Sequence, residues 1–233
     1  MKYKWFISII VWMLALSLIA ACAPAPTGPV TLTVITHDSF AVSESVVREF
    51  ETQNNARLVF VKSGDAGTAL NKVILSKGSP QGDVFYGVDN TFLSRAISEG
   101  IYTPYASPLL DRIDASFKLA PNNEALPVDF GDVCINYDKA YFTSHNLAVP
   151  RSLEDLAKPE YGAPSGGEGL LVMENPATSS PGLAFLLATI AHFGEDHYLD
   201  YWKQLKLNGL VVVSDWETAY YTNFSGSSGK GAQ

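Results

Sequence analysis

The sequence predicts an α/β protein of two lobes, each a mixed, mostly parallel sheet flanked by helices. Short β-branched runs alternate with one-faced helical stretches from Val30 to Gly100. Near Ala125 the pattern breaks, and Leu126-Pro127-Val128-Asp129-Phe130-Gly131 leads into a fresh apolar run. A second strand–helix alternation then continues to Val213. The expected division is a first lobe over 30–125 and a second over 126–233.

Thr31 to Thr36 is a β-branched run that ends in the polar turn His37-Asp38-Ser39, and it reads as the first strand. A helix follows to Thr52, with Val46, Val47 and Phe50 at one-face spacing. Arg57 to Val61 is the second strand, Ser63 to Thr68 a turn, and Ala69 to Lys77 a helix. Asp83 to Gly87 is the third strand, followed by Val88-Asp89-Asn90 and a helix from Thr91 that Gly100 stops. In the second part, Val133 to Tyr137 and Leu170 to Met173 read as strands. Ser152 caps a short helix with Asp155 at its third position. Gly162 to Gly169 is a loop. Helices are expected from Pro181 to Phe193 and from Asp196 to Leu205, and a strand from Leu210 to Val213. Ser225 to Gln233 is small and polar, with no closing element.

The N-terminus is a leader. Lys2 and Lys4 precede an uncharged apolar run from Trp5 to Ala21, which ends in Leu18-Ile19-Ala20-Ala21-Cys22. Small residues just before a cysteine mark a cleavage site. The pattern resembles the bacterial lipobox, which implies a signal peptide over 1–21 and acylation of Cys22. A permanent transmembrane helix is the alternative, since the run is long enough to span. The small residues and the following Pro/Ala-rich stretch favour the lipoprotein. Residues 22–29 cannot form a regular helix and read as a semi-rigid stalk.

Formal net charge is −8 over 233 residues. That balance argues against a nucleic-acid partner, which needs clustered Lys and Arg. Beyond Cys22 the other cysteine is Cys134, which reads as a small buried hydrophobe. There is no CxxC pair, no metal-ligand spacing and no internal repeat, and no cofactor is expected. The nucleophile elbow, the dinucleotide fingerprint and the phosphate loop are all missing, so an enzyme is not expected.

Ligands of parallel sheets bind at the carboxyl ends of the strands. Three polar turns lie there: His37-Asp38-Ser39, Asp65-Ala66 and Asp89-Asn90. Each offers backbone N–H groups and a polar side chain. Simple N-capping explains any one of them, and three along one sheet edge point to a cleft. Thr178-Ser179 before Pro181 is the second-lobe counterpart. Asp215-Trp216-Glu217-Thr218-Ala219-Tyr220-Tyr221 follows a strand, and helical spacing puts Trp216 and Tyr220 on one face. That face is either core packing or a wall that stacks on a flat or cationic ligand.

Together these segments resemble the thiamine-binding proteins of bacterial ABC importers. The matching text runs from Leu32-Thr33-Val34 and Asp38-Ser39-Phe40 through Gly64-Asp65, Gly87-Val88-Asp89-Asn90 and Val128-Asp129-Phe130-Gly131. It continues through Asn136-Tyr137-Asp138-Lys139 and Ala177 to Leu183, and ends with Trp216-Glu217-Thr218-Ala219-Tyr220. The resemblance implies the type II periplasmic-binding-protein fold and capture of thiamine or thiamine phosphates for a permease and ATPase pair. It implies a monomer tethered to the outer face of the cytoplasmic membrane. By position, His37 stands where the family has an aromatic residue facing the pyrimidine, and Asp38 where it has the neighbouring acid. Asp65 and Ala66 stand at a ligand-touching turn, Ser179 at the phosphate-contacting turn, and Trp216 at the aromatic wall. Two departures are His37 for the family's Tyr and Ala66 for its Gly. The family's length is nearer ~300 than ~200 residues, so the second lobe is expected to be incomplete. A ferric-ion-binding relative of the same fold, with Tyr220, Tyr221 and His37 as hard-metal ligands, or a binder of another small solute in that fold, is the alternative. A sensor or adhesion lipoprotein is a further one.

Overall fold

The β-branched runs do pair as parallel strands. The computed structural model describes residues 28–163 and 167–229. The leader over 1–21, Cys22 and most of the stalk lie outside the described residues, as do 164–166 of the glycine loop and the last four residues. Strand β1 (Val30–Thr36) pairs with β2 (Ala56–Lys62) along its whole length, Val30 opposite Ala56 and Thr36 opposite Lys62. On its other side β1 meets β3 (Val84–Phe85), giving the order β2-β1-β3. The first strand is therefore central, and its last two residues, Ile35 and Thr36, are buried.

Helix α1 (Glu44–Asn54) ends where Asn55 turns left-handed at φ 46°. Asn tolerates that conformation better than most residues. Helix α2 (Ala66–Leu75) follows β2, and α3 (Leu93–Ser98) follows β3. Ala66 and Leu70 of α2 pack with Phe92 and Ala96, and Phe85, Val88 and Ile74 close around them. Small residues on the buried face of α2 let the helix lie close to its neighbours.

A second parallel pair, β4 (Val172–Glu174) and β5 (Val211–Val213), builds the other lobe. Short helices α4 (Lys139–Ser144) and α5 (Leu153–Leu156) precede it. Ser152 caps α5, accepting from the Asp155 N–H at 3.2 Å, and Asp155 reaches back to the Arg151 N–H at 2.8 Å. Long helices α6 (Ser180–Phe193) and α7 (Tyr198–Leu207) pack Phe185, Phe193 and Trp202 around Leu156, Tyr201 and Leu205. The Trp202 indole N–H donates to the buried Thr189 hydroxyl at 2.8 Å. Helix α6 rides directly on the end of β4. A Cβ at Gly182 would come within 2.3 Å of the Glu174 carbonyl oxygen, so no other residue fits there.

Three expectations fail. Val133 to Tyr137 is extended but pairs with no strand, and all five residues are exposed. An apolar alternation becomes a strand only when a neighbouring strand pairs with it, and none of the described strands does. Cys134 is consequently exposed rather than buried. Strand β3 is also shorter than expected, although Asp83 and Tyr86 still donate to the Thr33 and Ile35 carbonyls at 2.8 and 2.9 Å. Among the described residues no helix is long and apolar enough to cross a membrane.

Candidate ligand cleft

The polar turns at the strand ends converge, but they are used differently. After β1, the Asp38 backbone N–H donates to the Gly64 carbonyl at 3.0 Å, and the Gly64 N–H donates to Asp38 Oδ1 at 2.8 Å. Asp38 thus stitches the first turn to the second and caps no helix. His37, one residue earlier, is half-buried and lines the cleft. Its ring stacks on Tyr86 at 5.8 Å and meets the edge of Phe40 at 6.5 Å.

After β2, Asp65 is only 7 % exposed. One carboxylate oxygen caps α2, accepting from the Ala66 N–H at 2.7 Å. The other accepts from the Trp216 N–H of the second lobe at 3.0 Å. Beside it, the Gly67 and Thr68 N–H groups both donate to the Thr178 carbonyl, at 2.9 and 3.3 Å. The start of α2 is therefore docked on the second lobe. A Cβ at Gly67 would stand 2.9 Å from the carbonyl oxygens of Ala177 and Thr178, so this approach needs glycine.

After β3, Asp89 accepts from the Thr91 N–H and hydroxyl at 3.1 and 2.7 Å, an Asx turn that shapes the loop. Asn90 is exposed beside it. On the second lobe, Thr178 donates its hydroxyl to the Ser214 carbonyl at 2.6 Å. Ser179 is fully buried, with its hydroxyl 3.3 Å from Glu174 Oε2.

The Trp216 segment is one α-turn, α8 (Trp216–Thr218), capped by Asp215 through the Thr218 N–H at 2.7 Å. It passes into a π-turn over Ala219–Asn223. Trp216 stacks on Tyr220 at 4.7 Å with the planes 9° apart, as the four-residue spacing predicts. The wider π-turn also brings Tyr221 edge-on to Trp216 at 5.6 Å. Such turns recur at functional sites because they re-aim side chains.

These walls enclose a cleft of about 1640 Å³. His37, Ser39, Asp65, Ala66, Asp89 and Asn90 line it from the first lobe, and Trp216 and Tyr221 from the second. Asp38, Thr178, Ser179 and Tyr220 do not line it; Tyr220 stacks on Trp216, which does, and the other three bond the turns behind it. Tyr86, Asp129 and Glu217 line it as well. Among these, Tyr86 escapes a reading by motif, although its place just past β3 at the carboxyl end is where a ligand contact belongs.

Glu174, at the end of β4, sits behind the docked surface. Burial raises its carboxyl to about 7, and the nearby Asp65 and Asp215 carboxylates add to the rise. Burial and the bond to Asp129 push the Tyr86 phenol up to about 12, so it stays protonated as a donor. Among the described residues no group of His, Cys, Asp and Glu is arranged to hold a metal ion.

Comparison with known proteins agrees with this architecture. Residues 79–220 match the model of a family described as bacterial extracellular solute-binding protein. A thiamine-binding periplasmic protein of Brucella suis is 29 % identical over 204 residues, covering 85 % of this chain and 57 % of the relative. One of Salmonella typhimurium is 29 % identical over 217 residues, covering 91 % and 62 %. The chain thus spans about three-fifths of the length of these relatives. A solved periplasmic thiamin-binding protein superposes with a TM-score of 0.61 at 24 % identity, covering 84 % of this chain and 58 % of that one. Iron-bound HitA from Pseudomonas aeruginosa superposes with a TM-score of 0.57 at 19 % identity, covering 80 % and 56 %. At such identities both structures bear on the fold alone, and that fold is the two-lobed type II architecture of periplasmic binding proteins. With the family model matching more than half of its length, the chain belongs to the bacterial extracellular solute-binding proteins.

Proposed function

We propose that this chain captures thiamine, or a thiamine phosphate, outside the cytoplasm and presents it to the permease and ATPase of an ABC importer. The observation that carries this reading is the pair of aromatic walls on one cleft, His37 with Tyr86 on one lobe and Trp216 with Tyr221 on the other. A flat cationic heterocycle between such walls gains stacking and cation–π attraction together, about 2 kcal/mol or more for a desolvated contact. The relatives named for thiamine binding support the same ligand. His37, Ser39, Ala66, Asp89, Asn90, Trp216 and Tyr221 are the proposed contacts. Asp38, Asp65, Thr178, Ser179 and Tyr220 are proposed to support them. The leader and Cys22 supply export and a lipid tether, and the chain works as a monomer without enzymatic chemistry. Titration calorimetry against thiamine and against Fe(III) tests the reading. Heat of binding with thiamine is expected; a coloured Fe(III) complex with no heat from thiamine would replace it with the ferric reading.

A further inference from the structure

One corner of the first-lobe wall is built more firmly than the rest. The Tyr86 N–H donates to the Ile35 carbonyl of the central strand at 2.9 Å, which fixes its backbone. Its ring stacks on His37 and lies edge-on to Phe40 at 5.0 Å, and Phe40 rests on Phe60 at 5.3 Å. Its hydroxyl donates to Asp129 Oδ2 at 2.6 Å. Both ends of Tyr86 are thus held, and its hydroxyl in turn orients Asp129. The bond takes one oxygen of an exposed carboxylate and leaves the other free at the cleft.

The surroundings favour positive charge. The charged residues lining the cleft are acids, with the exception of Lys77, whose ammonium is held by Glu99 at 2.9 Å. The turn that would suit a phosphate is already engaged. Ser179 is buried against Glu174, its N–H donates to the Asn175 carbonyl, and Thr178 bonds Ser214. The Ser180 hydroxyl is buried without a partner at the cleft edge, a single neutral donor at the start of α6. One helix start carries roughly half a positive charge, less than the acids around it carry in negative charge.

We propose that Tyr86 and Asp129 form the charge-reading corner of the cleft, with Asp129 as the counter-charge to the ligand's cationic ring, so that the chain prefers unphosphorylated thiamine to its phosphate esters. The proposal rests on the thiamine reading and goes further by ranking the ligands. Asp129 contacts the ligand and Tyr86 both stacks and positions Asp129.

Titration of the full chain with thiamine and with thiamine pyrophosphate tests it, using the wild type, Asp129→Asn and Tyr86→Phe. The wild type is expected to bind thiamine at least about tenfold more tightly than the pyrophosphate. Asp129→Asn should weaken thiamine about tenfold while leaving the pyrophosphate unchanged or improved, which closes the gap. Tyr86→Phe keeps the ring and loses the bond to Asp129, so it should fall between the two and make the preference more sensitive to salt. A wild type that binds both compounds equally, or the pyrophosphate better, overturns this proposal and leaves the thiamine reading standing. So does an Asp129→Asn variant that weakens both alike. A wild type that binds neither overturns the thiamine reading and this proposal with it.

Discussion

The turns after β1 and β2 leave adjacent parallel strands at the same edge, yet they do opposite work. The β2 turn is closed. Asp65 is buried, both of its carboxylate oxygens accept backbone N–H groups, and one of those comes from Trp216 across the lobe boundary. The β1 turn is open. Asp38 secures it from below, and His37 turns its ring into the cleft against Tyr86. A polar residue at a strand end is therefore ambiguous until the opposite lobe is in place. Where the second lobe touches, the turn becomes a latch; where it stands away, the turn becomes a wall.

The latch gives the largest expected effect. Asp65→Ala removes a helix cap worth about 1 kcal/mol and strands a buried N–H at a cost of about 1–3 kcal/mol. Thermal or urea unfolding should show a loss of about 2–3 kcal/mol. A loss under 0.5 kcal/mol would mean that the latch contributes nothing. On the wall side, His37→Ala should leave stability nearly unchanged and weaken thiamine by about 1 kcal/mol, roughly fivefold, through the lost ring contact. Equal damage to folding and binding would erase the distinction between the two turns.

Glu174 gives a smaller effect, and one with a sign. Its folded carboxyl, at about 7, lies above its ordinary value of 4.5. The folded state therefore binds the extra proton between those values. The stabilisation is full below about 4.5 and is lost as pH rises through about 7. Above that, a charged Glu174 faces Asp65 and Asp215 behind the latch. Glu174→Gln should raise stability at pH 8 by about 1 kcal/mol, less than for a fully buried carboxyl because solvent screens its exposed part. It should also flatten the fall in stability between pH 5 and pH 8; an unchanged slope would contradict this account. The smallest effect lies away from both turns. Cys134→Ser should shift stability by less than about 0.5 kcal/mol, and a thiol reagent should label native Cys134 without unfolding. Slow labelling gated by unfolding would place the residue in a core.

The same contrast explains what the sequence could disclose. Strands β1 and β2 were legible because β-branched runs bounded by polar turns declare themselves locally. The Trp216–Tyr220 stack was legible from a four-residue spacing. The fate of Asp65 was not, since capping accounts for one oxygen and the other answers to Trp216, a partner 151 residues away. Tyr86 and Asp129 are likewise 43 residues apart and carry no shared motif. Gly67 looked like a turn residue, whereas its lack of a side chain is what admits the Thr178 carbonyl. Val133 to Tyr137 misled for the converse reason: its alternation is local, and a strand is a pairing.

Tryptophan fluorescence reports on the second-lobe aromatic wall. Trp202 is held inside the second lobe against Phe185 and Thr189, while Trp216 faces the cleft. Thiamine added to the chain should quench the emission saturably, and Trp216→Ala should abolish that quenching while its unfolding curve stays cooperative. Quenching that survives in Trp216→Ala would place the ligand elsewhere and contradict the aromatic walls.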